Sequence, residues 1–116
     1  MSKNNLEVIL HSQRAAFNAN PNSSWADRKS KLIKLGEVIN ANEQKFQKVI
    51  SEDFGNRSFT ETTVAEVAII HGGIKHALKH TQKWMRTRKA PTALQFKPAA
   101  NKIIPQPLGV IGIISP

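Results

Sequence analysis

Leu108-Gly109-Val110-Ile111-Gly112-Ile113-Ile114 is an unbroken apolar run, mostly β-branched, with no polar side chain on either face. A strand at a protein surface alternates polar and apolar residues. A run apolar on both faces is the pattern of a strand inside a parallel sheet, where helices cover both sides. Nothing else in these 116 residues supplies neighbouring strands and two helical layers around it. The run therefore reads as the first strand of an α/β domain whose remaining strands lie outside this sequence.

What precedes it is helical. Leu6, Ile9, Leu10, Ala16 and Phe17 follow helical spacing and give one amphipathic helix, ended by Asn18-Ala19-Asn20-Pro21-Asn22. Ser24 and Asp27 form a start signal for a second helix, in which a hydroxyl meets a free amide and a carboxylate sits at the positive helix end. Its inward face is Trp25, Arg28 through its stem, Leu32, Leu35 and Ile39. Asn42 is placed to cap a third helix carrying Phe46, Val49 and Ile50, with Gly55 as a left-handed stop.

Ser58-Phe59-Thr60-Glu61 reads as a capping box that opens the longest helix. There Val64, Val67, Ala68, His71, Ile74, Leu78, Thr81 and Met85 recur at threes and fours until Pro91 forbids continuation. Such a helix is about 40 Å long at 1.5 Å per residue. Gly72-Gly73 in its middle costs on the order of 1 kcal/mol per glycine relative to alanine, which points to a close neighbour or a bend. Beyond it, prolines 91, 98, 105 and 107 exclude helix, while Leu94, Phe96, Ile103 and Ile104 suit short extended segments. The expected organisation is a helical segment of about four helices over 1–90, a Pro-rich extended link over 91–107 and the strand over 108–116. The fold class is mainly α with a short β tail.

Composition narrows the function. Hydrophobic residues at 40% and charged residues at 22% are ordinary globular values, and no apolar run approaches the roughly 18 to 20 residues that span a bilayer. The start of the chain leads into a mixed polar stretch, so a cytoplasmic protein without a membrane partner is expected. Zero cysteines exclude disulfides, thiolate metal sites and a cysteine nucleophile within the chain. The net charge of +9 is uneven: residues 1–66 hold nine basic and eight acidic groups, and residues 67–116 hold eight basic and none acidic. That half attracts an anionic ligand or an acidic partner surface. With aromatic residues at 6% and scarce there, base stacking is poorly served, which disfavours nucleic acid.

Other constellations are weaker. His76 and His80 stand four apart, a spacing that presents two imidazoles to one side, yet no Glu follows His76 in the metalloprotease pattern and no third ligand is evident, so no metal site is assigned. Gly109-Val110-Ile111-Gly112 matches neither the dinucleotide fingerprint nor the phosphate loop. Ser51 and Ser58 coexist with histidines, but no Gly-x-Ser-x-Gly elbow is present.

Three stretches carry a family resemblance: Asp53-Phe54-Gly55-Asn56-Arg57-Ser58 with Glu61-Thr62, then Lys83-Trp84-Met85, and above all Pro107-Leu108-Gly109-Val110-Ile111-Gly112-Ile113-Ile114-Ser115-Pro116. The chain resembles the aldehyde dehydrogenase superfamily, in particular the coniferyl aldehyde dehydrogenase branch related to the class 3 enzymes. In that family the last stretch runs on into a Trp-Asn-aromatic-Pro signature, which here would begin after Pro116.

The resemblance implies the leading helices and first strand of an α/β aldehyde dehydrogenase subunit, an NAD- or NADP-dependent enzyme that oxidises aldehydes to acids. It also implies that the family's cysteine nucleophile, glutamate base and oxyanion asparagine fall outside these residues. The chain alone is then expected to be an inactive amino-terminal fragment that binds no cofactor by itself, with no catalytic residue of its own. By the same resemblance, the turn at Ile114, Ser115 and Pro116 borders the cofactor in the whole subunit, in keeping with ligands gathering at the carboxyl ends of strands. The partners implied are the remainder of the subunit and further copies of it, and the isolated chain is expected to self-associate. Two other readings remain: a small basic helical module that binds nucleic acid or an acidic protein, and a regulatory fragment that associates with an intact subunit.

Overall fold

The computed structural model describes residues 3–114, with side chains from residue 5 onward. Helices α1 (Lys3–Ala19), α2 (Trp25–Ala41) and α3 (Glu43–Asp53) come first. A continuous helical path follows, made of α4 (Phe59–Thr62), a π turn (Thr63–Val67) and α5 (Ala68–Trp84). Strand β1 (Arg88–Ala90) and strand β2 (Asn101–Ile103) then pair antiparallel, with Lys89 opposite Lys102. The fold is mainly α with a short β tail, as expected. One compact unit is Trp25–Trp84, and a second combines the α1 region with the chain from Met85 onward.

Within Trp25–Trp84 the core is small. Val67 and Ile74 are the buried hydrophobics among the described residues, and Thr62 is the buried polar residue. Trp25, Arg28, Leu32 and Ile39 of α2 are half-buried as expected, whereas Leu35 is exposed. Gly36 takes the inward position instead, where an added Cβ would lie 3.9 Å from Ile74 Cδ1. A glycine there lets the α2 backbone approach α5 closely, and the two helices pack on that contact.

The long helix departs from the expected pattern in three ways. Its inward residues are Thr62 and Val67, then His71, Ile74, Leu78 and Thr81, while Val64 and Ala68 face outward. The π turn is the cause. It widens one turn to an i→i+5 bond, so Thr62 and Val67, five apart, share one face. The second departure is at Gly72 and Gly73, where an added Cβ would meet nothing within 4 Å, so among the described residues the glycines admit no close neighbour.

The third departure is the end of the helix, at Trp84 rather than just before Pro91. Residues 88–90 give their backbone groups to a ladder with 101–103, and this non-local pairing removes them from the helix. Between the strands, the Pro-rich link is not wholly extended: Leu94–Phe96 makes one 3₁₀ turn, and the Lys97–Pro98 peptide is cis.

The expected strand over 108–114 is not paired in this chain. Leu108, Ile113 and Ile114 are 92%, 90% and 98% exposed, and the segment carries no regular secondary structure. Strand geometry is held by a ladder to a neighbour, and among the described residues the only ladder is that of β1 with β2. The closest tie is at Gly109, whose φ of +112° suits glycine and where an added Cβ would reach the Phe17 ring at 3.8 Å.

Candidate functional site

The Asp53–Ser58 stretch, the first element of the resemblance, forms a helix stop followed by an ionic clamp. Gly55 at φ +65° and Asn56 at φ 71° reverse the chain after α3, and the Asn56 amide donates back to the Ser51 carbonyl at 2.8 Å. This is the 6→1 bond that closes a helix end through a left-handed glycine. Arg57 is thereby aimed at the next helical rod. Its Nη1 donates to Glu66 Oε1 at 3.0 Å, its Nε lies 3.1 Å from Glu61 Oε1, and its guanidinium stands 5.9 Å from the Phe54 ring centroid.

The hydrogen bond to Glu66 is the main influence holding the Arg57 pKa above its ordinary value, with Glu61 adding and desolvation opposing. Arg57 is a permanent cation, and its role here is to pin the π turn through Glu66. Ser58 precedes α4 as expected, but its hydroxyl makes no cap bond. Its carbonyl accepts from the Thr62 amide at 3.1 Å, while Glu61, expected to complete the box, pairs with Arg57.

A second tie fixes the π turn to α3. Gln47 Nε2 donates to Thr63 Oγ1 at 2.7 Å, and the Thr63 hydroxyl donates to Glu43 Oε1 at 3.2 Å. Asn42 makes no cap bond to α3 and instead donates from Nδ2 to the Val38 carbonyl at 2.8 Å, closing the end of α2. These polar groups all serve packing. None combines a nucleophile with a base.

The expected cofactor-facing turn is represented by Ile114 alone, since Ser115 and Pro116 lie outside the described residues. Ile114 is 98% exposed, and from Leu108 to Ile114 no side chain carries charge or hydrogen-bonding capacity. Among the described residues, this end offers a dinucleotide backbone groups only. Those residues do not by themselves fit a nicotinamide cofactor, which needs donors for its phosphates and riboses.

Sequence spacing brought His76 and His80 together, and the structure adds Trp84 to them. They line the α5 surface with ring centroids 4.4 Å apart for the histidines and 5.8 Å for His80 and Trp84, the latter pair stacked. Burial against these neighbours is the first cause that lowers the His80 pKa below its ordinary value, and repulsion from His76, Lys79 and Lys83 adds to it. His71 is separate from this group, its Nε2 buried without a hydrogen-bond partner. No set of three or more His, Cys, Asp or Glu side chains converges among the described residues.

A sequence model of the aldehyde dehydrogenase family matches residues 1–116. The chain is 37% identical over 113 residues to a protein of Pseudomonas aeruginosa named "Probable coniferyl aldehyde dehydrogenase", covering 97% of this chain and 24% of that one. It is 32% identical over 110 residues to aldehyde dehydrogenase family 3 member B2 of Mus musculus, covering 95% and 23% respectively. It is also 33% identical over 89 residues to the coniferyl aldehyde dehydrogenase of a Pseudomonas species, covering 77% and 18%. The chain therefore belongs to the aldehyde dehydrogenase family. The chain spans about a quarter of the length of the first two relatives.

Proposed function

We propose that these residues form the leading helical part, and the first cofactor-domain strand, of an NAD- or NADP-dependent aldehyde dehydrogenase that oxidises a coniferyl-type aldehyde to its acid. The observation that carries this reading is the 37% identity that runs along 97% of the chain to a relative of that name. The unpaired apolar run agrees with it, because Leu108–Ile114 has the composition of a strand between two others and none beside it here. In this reading the thiolate nucleophile, the base and the oxyanion donors come from residues beyond these 116, which contain no cysteine. The role of this part is structural, placing the turn at Ile114, Ser115 and Pro116 against the cofactor in a cytoplasmic homo-oligomer. The cofactor supplies hydride acceptance when bound.

A chimera tests it. The matched amino-terminal segment of the Pseudomonas aeruginosa relative is replaced by residues 1–116, and NAD(P)H formation is followed with coniferyl aldehyde. Activity within about tenfold of the parent relative, about 1.4 kcal/mol in barrier, supports the reading. A chimera that folds and elutes like the parent but forms no reduced cofactor counts against it. Tight binding of the isolated chain to nucleic acid that falls steeply with salt would replace it with the basic-module reading.

A further inference from the structure

We propose that His76 and His80 form a chelating pair for a late first-row divalent ion, on the α5 surface and separate from the aldehyde dehydrogenase reading. Residues four apart on a helix rise about 6 Å along the axis and lie close to one face. The two imidazole centroids are 4.4 Å apart, closer than that rise, so the rings lean towards each other. Metal–imidazole bonds of about 2.0–2.1 Å from one ion to a nitrogen of each ring bridge up to about 4 Å. A centroid separation of 4.4 Å is compatible with that span.

The pair is reachable from solvent, with His76 exposed and His80 half-buried, so an ion has an open approach and keeps water in its remaining positions. With two imidazoles and no third side-chain ligand among the described residues, the site suits ions that bind nitrogen donors strongly. The order of affinity is then Cu²⁺ above Ni²⁺ and Zn²⁺, with Mg²⁺ and Ca²⁺ excluded by their preference for oxygen. Lys79 and Lys83, next to the pair in sequence, lower the affinity for every divalent ion alike. Trp84, with its ring 5.8 Å from His80 and 5.6 Å from His76, is the reporter built into the site.

The experiment is a Ni²⁺ titration of the 116-residue chain, read by tryptophan fluorescence and by calorimetry, and repeated with Cu²⁺ and Mg²⁺. Expected is saturable quenching at one ion per chain, tighter for Cu²⁺ and absent for Mg²⁺. Trp84→Phe should lose most of the quenching and keep the calorimetric binding. His76→Ala or His80→Ala should weaken binding by about tenfold or more, about 1.4 kcal/mol, while His11→Ala leaves it unchanged. Binding unaffected by either His76→Ala or His80→Ala, with helicity intact by circular dichroism, overturns the proposal. So does a stoichiometry of one ion per two chains, which would make the ion a bridge between copies.

Discussion

Arg57 and Glu66 stand nine residues apart and meet at 3.0 Å between Nη1 and Oε1, the arginine just past a helix stop and the glutamate inside the π turn. The pairing joins the end of one helix to the irregular turn of the next. The π turn costs helical regularity, and its position is fixed from both sides, by Arg57 and by the Gln47–Thr63–Glu43 network.

Glu66→Gln should therefore lower the urea midpoint of unfolding, and by more than Glu61→Gln does. Glu66 carries the shorter contact and the less exposed carboxylate, at 45% against 60% for Glu61. A larger effect of Glu61→Gln would place the clamp in the i,i+4 pair of Arg57 with Glu61.

The buried centre gives two opposite outcomes. Ile74→Ala removes one of the two buried hydrophobics among the described residues and should cost about 2–5 kcal/mol, while Ile70→Ala, at a side chain 42% exposed, should cost far less. Thr62→Val should be neutral or stabilising by up to about 1 kcal/mol, because the Thr62 hydroxyl is fully buried and makes no hydrogen bond. Urea denaturation followed by circular dichroism measures all three.

Acid sensitivity has a contribution from His80. Its pKa in the folded chain lies below the ordinary value of 6.5, so the unfolded chain binds its proton first as pH falls. The folded state is then unpenalised above pH 6.5 and loses stability as pH drops through that value, until the folded pKa is passed as well. His80→Gln should flatten this part of the stability profile between pH 7 and pH 5 (roughly the histidine range) without changing stability at pH 8.

Association should follow the apolar tail. Leu108, Ile111, Ile113 and Ile114 are 92%, 67%, 90% and 98% exposed, a contiguous apolar segment with free backbone groups of the kind that recruits another chain. The 116-residue chain should be oligomeric in light scattering, and a version ending at Gln106 should be monomeric. Persistence of the oligomer after that deletion would assign the association to the helices.

The parts of this fold that could be read from the sequence are those set by neighbouring residues. Gly55 was legible as a stop because a left-handed residue after a helix has few alternatives to glycine, and the α2 stripe of Trp25, Arg28, Leu32 and Ile39 because helical spacing repeats locally. The end of the long helix was not legible, since Arg88–Ala90 leave it to pair with Asn101–Ile103, and only the fold brings those together. The Ser58–Glu61 box failed for a related reason: Arg57, adjacent in sequence, offers Glu61 a charged partner that the Ser58 amide cannot match. At the candidate site, the His76–His80 spacing was visible, whereas the lean of the rings and the Trp84 stack belong to the folded helix. The cofactor-facing role of Ile114, Ser115 and Pro116 came from resemblance alone, because an apolar turn carries no chemical mark of what it will border.

The π turn also sets a frame for everything after it. An ordinary α turn brings residues four apart onto one face, whereas this turn brings Thr62 and Val67, five apart, onto one. One residue removed between Thr63 and Val67 would therefore restore an ordinary turn and leave Ile74 against Gly36 and the imidazole pair on its present side of the rod. The π turn is thus the place in the long helix where length can change by one without redrawing which surface α5 shows to its surroundings.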